Sequence, residues 1–155
     1  MGPVEGIKSC DDLWMSRYIL MRTSENTKYP YNINFQPKPY GGDWNCSGCH
    51  VNFSTESMRT PPNGLDVIHK AVESLSKKHK EHIDMYGLGN ELRLTGTHET
   101  SSYEKFTAGC GDRTASIRIG TETISNGYGY FEDRRPSSNM NPYLVNSKIL
   151  ETIML

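Results

Sequence analysis

The chain has 155 residues, 35% of them hydrophobic, which is enough for one domain with a packed core and short of two. Its 17 basic and 18 acidic residues nearly cancel to a formal net charge of -1, so no overall field draws it to nucleic acid or to an anionic membrane. Function therefore has to come from local arrangement.

The opening Met1-Gly-Pro-Val-Glu-Gly6 has neither the basic nor the apolar region of a signal peptide, and Gly6 stands where a myristoylation motif wants Ser or Thr. No apolar run reaches membrane-spanning length, so a cytoplasmic protein without membrane or nucleic-acid partners is expected. Ser9-Cys-Asp-Asp12 fits a capping box, and Leu13, Trp14, Tyr18 and Met21 recur at helical spacing. This predicts a helix from about Asp11 to Arg22, with Trp14 and Tyr18 in the core. Tyr31-Asn-Ile-Asn-Phe35 alternates as a half-buried strand does, and Gln36 to Asp43, with two prolines and Gly41-Gly42, reads as a loop. His50 to Thr55 alternates again: Val51 and Phe53 face a core, while His50, Asn52 and Ser54 share the polar face.

After Pro61-Pro62-Asn63 comes the clearest helix, residues 64 to 83, with Leu65, Ile68, Val72, Leu75 and Ile83 on its apolar side. His69, His79 and His82 lie on it and are given no site role. Gly87-Leu-Gly-Asn90 is a loop, and Thr95 to Phe106 reads as a mobile polar loop around Gly96-Thr-His-Glu99. Ala115 to Ile119 is a strand that turns Ala115, Ile117 and Ile119 inward and Ser116 and Arg118 outward. If Tyr128 to Arg134 is extended, Tyr130, Glu132 and Arg134 share one face and Phe131 and Asp133 the other. Asn141-Pro142 opens a last helix, 142 to 155.

Five of the eight arginines, Arg93, Arg113, Arg118, Arg134 and Arg135, fall between positions 93 and 135, against one of the nine lysines. A guanidinium grips phosphate and carboxylate with two parallel bonds and stays charged when partly buried, which points to anion handling. The plainer reading is a set of surface ion pairs with Glu99, Asp112, Glu132 and Asp133. The four cysteines, Cys10, Cys46, Cys49 and Cys110, are too unevenly spaced for a disulfide framework. Cys46-Ser-Gly-Cys-His50 matches the pattern of covalent haem attachment, which needs an exported compartment and a second axial ligand. A zinc knuckle on the same cysteines needs a second ligand pair, and neither Cys10 nor Cys110 has one nearby.

Trp44-Asn-Cys-Ser-Gly-Cys-His-Val-Asn-Phe-Ser-Thr55, Leu94-Thr-Gly-Thr-His-Glu-Thr-Ser101, Asp112-Arg-Thr-Ala-Ser-Ile-Arg-Ile119 and Gly129-Tyr-Phe-Glu-Asp-Arg-Arg-Pro-Ser137 together resemble glutamine synthetase of the eukaryotic type. Phe35 to Pro39 and Gly2 to Gly6 fit as well, so the resemblance runs almost end to end. It implies an α+β fold, a curved and mainly antiparallel sheet backed by helices 11 to 22, 64 to 83 and 142 to 155. It also implies that residues 1 to 155 are the carboxyl-terminal part of a catalytic domain, without the family's amino-terminal small β-domain and first catalytic strands.

The activity implied is ATP-dependent formation of glutamine from glutamate and ammonia through γ-glutamyl phosphate. By the same resemblance His50 and Glu132 would be ligands of Mg2+ or Mn2+. Asn52, Phe53, Ser54, Arg113, Arg118, Tyr130, Phe131 and Glu132 would contact ATP. Asp43, Trp44, Asn45, Arg93, Arg113 and Arg134 would hold glutamate and its acyl phosphate, and Glu99 would be the carboxylate on a closing flap, with Arg93, Arg113 and Arg134 beside it in catalysis. The sequence departs from the family at Cys46, where glycine is usual, and at Asp112, where asparagine precedes the arginine. With His50 and Glu132 alone a divalent ion has few protein donors, so the isolated chain is expected to be inactive and to work with complementing subunits or in a homo-oligomer. The alternative is a shortened, non-catalytic relative that binds or assembles with a full-length enzyme.

Overall fold

A computed structural model describes residues 1–26, 28 and 31–154. The elements run in the order α1 (Lys8–Glu25), β1 (Val51–Phe53), α2 (Gly64–Lys77), α3 (His79–Ile83), β2 (Ala108–Cys110), β3 (Ile117–Ile119), α4 (Thr121–Asn126), β4 (Phe131–Asp133) and α5 (Pro142–Met154). Single 3-10 turns sit at Ser57–Arg59 and Asn90–Leu92. The strands form one four-stranded sheet in the order β1-β4-β3-β2. β4 pairs antiparallel with both β1 and β3, and β2 adds to the far edge in parallel. The fold is thus α+β, with a mixed sheet in which two of three pairings are antiparallel.

Alternation along the strands sorts the two faces. Val51, Phe53, Ile117, Ile119 and Phe131 join Ile68, Ala71, Val72, Leu75, Val145 and Ile149 in one core between sheet and helices α2 and α5. Phe53 and Phe131 meet with ring centroids 5.7 Å apart. Each fully buried aliphatic or aromatic side chain here contributes roughly 1.5–3 kcal/mol, so this layer is what holds the sheet flat against its helices. The opposite face carries a row of three residues in register, Asn52, Glu132 and Arg118, on β1, β4 and β3.

Several elements differ from expectation. α1 is longer than predicted, and its start carries no side-chain cap: Ser9 Oγ donates to Gly6 O rather than to a helix N–H. Trp14 and Tyr18 are exposed, at 46% and 56%. The buried side of α1 is taken by Cys10 and by Arg17, whose guanidinium donates to the carbonyls of Ser138 and Met140 and stacks near Trp14 and Phe35. That anchors the helix through polar contacts and turns the aromatic stripe outward.

Tyr31–Phe35 pairs with no strand among the described residues. Asn34 Oδ1 instead accepts the N–H of Gln36, a local turn that competes with a ladder. The predicted helix 64–83 breaks at Lys78, with φ -113° and ψ 22°. Beyond the break, His79 and His82 bond to groups on other segments rather than lying along a continued amphipathic face. β2 and α4 have no counterpart among the elements the sequence predicts, and the last helix is described to Met154, Leu155 lying outside the described residues.

Candidate functional site

The polar face of the sheet is organised around Glu132. Its position on the central strand, opposite the core face of Phe131 and Asp133, follows from period-two alternation. His50 Nδ1 lies 3.0 Å from Glu132 Oε1, and Arg118 Nε donates to Oε2 at 2.5 Å. Arg134 Nη1 approaches both oxygens at 3.3 and 3.4 Å. Burial by itself would raise the Glu132 carboxyl, but the His50 hydrogen bond and the Arg134 and Arg118 charges outweigh it and hold the group down at about 2.

Arg93 closes the cluster from behind. It is 2% exposed, its Nη1 and Nη2 donate to the carbonyls of Arg135 and Arg134 at 3.1 and 2.8 Å, and Nη2 sits 3.1 Å from His50 Nε2. Burial brings this guanidinium down to about 10, still protonated at neutral pH. Arg93 can only donate, so His50 Nε2 must accept, which leaves the ring proton on Nδ1 for Glu132. Gly48 makes the approach possible. A Cβ there would crowd Arg93's guanidinium and fall 2.9 Å from His50 Nε2. Two guanidiniums, Arg118 and Arg134, meet the one carboxylate and a third, Arg93, lies behind His50, so the cluster carries net positive charge, which suits a phosphate or carboxylate ligand.

Arg134 also ties two loops to the sheet. Its Nη2 donates to the carbonyls of Glu99 at 3.0 Å and Arg113 at 2.8 Å. The Thr95–Ser101 loop is pinned by hydrogen bonds from Gly96 N to Ser101 O and from Tyr103 N to Leu94 O, and it buries Thr100 and Ser101. At its tip His98 and Glu99 have φ of 52° and 58°, the left-handed region that few side chains adopt. Glu99 Oε1 meets Arg113 Nη1 at 3.4 Å in an exposed pair, and His98 Nε2 meets Asp43 at 2.6 Å. Asp112 does not compete for Arg113, because its Oδ1 accepts from the N–H and hydroxyl of Thr114.

The structure therefore brings His50, Arg93, Arg118, Glu132 and Arg134 together on one face, with Asn52 beside Glu132 and Arg113 and Glu99 at the rim. Asp43, Trp44 and Asn45 lie in an exposed loop joined to the Thr95–Ser101 loop through His98. Tyr130 is exposed, while the side chains of Phe53 and Phe131 point into the core. Ser54 Oγ accepts from Arg59. The surface-pair reading holds only for Arg113 with Glu99, since Glu132 and Asp133 are buried.

Sequence reasoning missed Asn90, Tyr86 and His82 behind the site. Asp133 and Arg135, both 0% exposed, form a two-pronged ion pair at 2.9 and 2.7 Å on the core side. Asn90 donates to Arg135 O at 2.8 Å and accepts from Arg93 Nη1 at 3.3 Å.

A divalent ion takes about six oxygen or nitrogen donors. This face supplies His50 and Glu132, and both carboxylate oxygens already meet guanidiniums. Among the described residues no group of three or more His, Cys, Asp or Glu side chains gathers to hold a metal. These residues by themselves do not fit such an ion. All four cysteines are free thiols, and no helix among the described residues is long and apolar enough to cross a membrane.

A family model described as glutamine synthetase, catalytic domain, matches residues 2–155. A protein of Acanthamoeba polyphaga mimivirus is 56% identical over 153 residues, 99% of this chain and 42% of that protein. The glutamine synthetase of Hebeloma cylindrosporum is 52% identical over 155 residues, 100% of this chain and 43% of its own length. A cytosolic isozyme of glutamine synthetase from Pinus sylvestris is 52% identical over 155 residues, with the same shares of 100% and 43%. The chain thus spans about two fifths of the length of these relatives.

Proposed function

The chain belongs to the glutamine synthetase catalytic-domain family, and from that premise we propose that it forms part of a glutamate-ammonia ligase that makes glutamine through γ-glutamyl phosphate. One observation carries the reading: His50, Glu132, Arg93, Arg118 and Arg134, drawn from four separate stretches of sequence, converge on a single sheet face with net positive charge. The non-catalytic alternative has no such observation in its favour.

In this proposal the glutamate side-chain carboxylate attacks the γ-phosphorus of ATP, ADP leaves, ammonia then attacks the acyl carbon, and phosphate leaves. The part of this chain is positioning and charge stabilisation, the main protein contribution to phosphoryl transfer. Arg118 and Arg113 would meet nucleotide phosphates, and Arg134, with Arg93 behind it, the glutamate and its acyl phosphate. Asn52, Phe53, Ser54, Tyr130, Phe131 and Glu132 would line the nucleotide, and Asp43, Trp44 and Asn45 the amino acid. Glu99, on a loop already fastened to Arg134 and Asp43 through backbone and His98, would cover the acyl phosphate and take the proton from ammonium. His50 and Glu132 would lend two donors to Mg2+ or Mn2+ only on giving up the hydrogen bond they now share, the remaining donors coming from outside residues 1–155. Residues 1–155 then constitute a partial catalytic domain that acts in the cytoplasm within an oligomer.

The test is phosphate release dependent on both glutamate and ammonia, measured on the pure chain and after mixing with the amino-terminal portion of a relative. Turnover is expected only in the mixture. Robust turnover by the pure chain would overturn the requirement for a partner, and silence in both would overturn the ligase assignment.

A further inference from the structure

The Thr95–Ser101 loop is a small hairpin whose turn runs against its sequence. Thr95 bridges antiparallel to Ser102, the Gly96 N–H donates to Ser101 O at 3.2 Å, and the Thr100 N–H donates to Thr97 O at 3.0 Å. His98 and Glu99 are thereby the two central residues of the turn, with φ of 52° and 58°. Hairpin turns in which both central residues are left-handed ordinarily carry Asn, Asp or Gly, because a larger side chain crowds the backbone there. Histidine enters that region more readily than most residues. Glutamate has no such preference, so the surroundings have to hold Glu99 where its own backbone would not stay.

Two of the holds come from the sheet side. Arg134 Nη2 donates to Glu99 O at 3.0 Å, and Arg113 Nη1 meets Glu99 Oε1 at 3.4 Å. The third comes from another loop, 55 positions away in sequence: His98 Nε2 lies 2.6 Å from Asp43 Oδ1, and since an ionised carboxylate only accepts, the ring nitrogen donates. The loop of Asp43 is braced by its own bonds. Ser47 N–H donates to Pro37 O at 2.9 Å, Trp44 N–H to Gly42 O at 3.0 Å, and Lys38 Nζ to Trp44 O at 2.5 Å. Among the described residues, His98 to Asp43 is the one hydrogen bond that joins the two loops. The His98 side chain is 31% exposed and that of Asp43 94%, so the carboxylate reaches in from solvent to a ring that is largely covered. An exposed pair of this kind adds little to global stability. Its effect is local: it decides where the turn sits, not whether the chain folds.

We propose that His98 and Asp43 are positioning residues whose hydrogen bond couples the loop of Asp43, Trp44 and Asn45 to the left-handed turn and so sets the Glu99 carboxylate over the site. The coupling stands on the geometry, and its value to catalysis rests on the ligase reading. In that reading the loop that lines the amino acid and the group that covers its acyl phosphate move as one body. A turn cut loose from Asp43 leaves Glu99 held by Arg134 and exposed Arg113 alone. Water, or the amino group of the substrate itself, then reaches the acyl carbon ahead of ammonia.

The experiment is amide hydrogen exchange on the full chain, read by mass spectrometry in peptides covering 40–47 and 95–101. His98→Asn keeps a residue that accepts the left-handed region and takes away the reach to Asp43, while Asp43→Ala removes the other partner. Each variant is expected to speed exchange about two- to five-fold in both peptides, the range that losing an exposed pair gives, and to leave α2, β3 and β4 unchanged. Should one variant not fold, the other is read alone. Variants that each disturb only their own loop would sink the proposal. Counting phosphate and glutamine in the complemented mixture separates the two readings. If wild-type mixtures are inactive, the ligase assignment fails while the exchange rates still judge the coupling. If they are active, the wild type is expected to release phosphate and glutamine in equal amounts. His98→Asn is expected to lose kcat for glutamine and to release more phosphate than glutamine, with the KM for ATP unchanged. A merely structural pair would lower stability without moving that ratio, so equal release by His98→Asn would overturn the positioning of Glu99.

Discussion

At the scale of single residues, burial separates groups that hold the fold from groups free to act. Glu99 is exposed, in a left-handed conformation, and among the described residues its carboxylate pairs only with exposed Arg113, at 3.4 Å. Exposed pairs of this kind contribute little, so Glu99→Ala should change unfolding free energy by no more than about 0.5 kcal/mol. The same variant should cut turnover of the complemented enzyme on the order of 10²–10⁴-fold, the range for losing a general base; denaturant titration and phosphate release read the two effects separately. Asp133 is the opposite case. Asp133→Ala strands a buried guanidinium and should cost about 3–5 kcal/mol in a denaturant titration. The alternation of Tyr128 to Arg134 was enough to put Glu132 and Arg134 on one face and Asp133 on the other. The partner of Asp133 was one step away in the same pattern, since Arg135 shares its face. Asn90 gave no comparable signal: its role depends on Arg93 and on a carbonyl 45 positions away, which no local pattern encodes.

Among elements, periodicity located α2, which buries a continuous apolar stripe, and the Asn141-Pro142 start signal located α5, which packs on the same core. It failed for α1, where a charged residue, Arg17, occupies the inward position and the aromatic residues face out. The contrast is measurable. Leu75→Ala on α2, at 0% exposure, should destabilise the chain by roughly 2–5 kcal/mol. Ile19→Ser on α1, at 55% exposure, should stay within about 0.5 kcal/mol. Equal losses in a thermal or denaturant melt would mean that α1 buries the face that the structure exposes. The break at Lys78 and the unpaired Tyr31–Phe35 were illegible for a common reason: hydrophobic rhythm says which side of a segment is apolar, but not whether a distant histidine contact will bend it or a neighbouring strand will accept it.

For the molecule as a whole, acid should act first through His82. Burial, followed by the nearby Arg135 charge, brings this imidazole down to about 4. The unfolded chain therefore binds the proton more readily, so the stability His82 contributes is complete above about pH 6.5 and is lost as pH falls toward 4. His79 is lowered too, by burial and Arg135, and adds in the same direction. A loss on the order of 2 kcal/mol is expected across that window. His82→Gln should flatten it in urea titrations at stepped pH, and an unchanged slope would contradict the burial of the ring. Nearly as many polar or charged side chains as hydrophobic ones are buried among the described residues, with Arg135 the largest of the fully enclosed group. Hydration of newly exposed hydrocarbon raises heat capacity while that of newly exposed polar surface lowers it. Calorimetry should then record a step below the roughly 2 kcal/mol/K usual for a chain of this length, and a stability curve broader in temperature than an oil-filled domain of equal size would show.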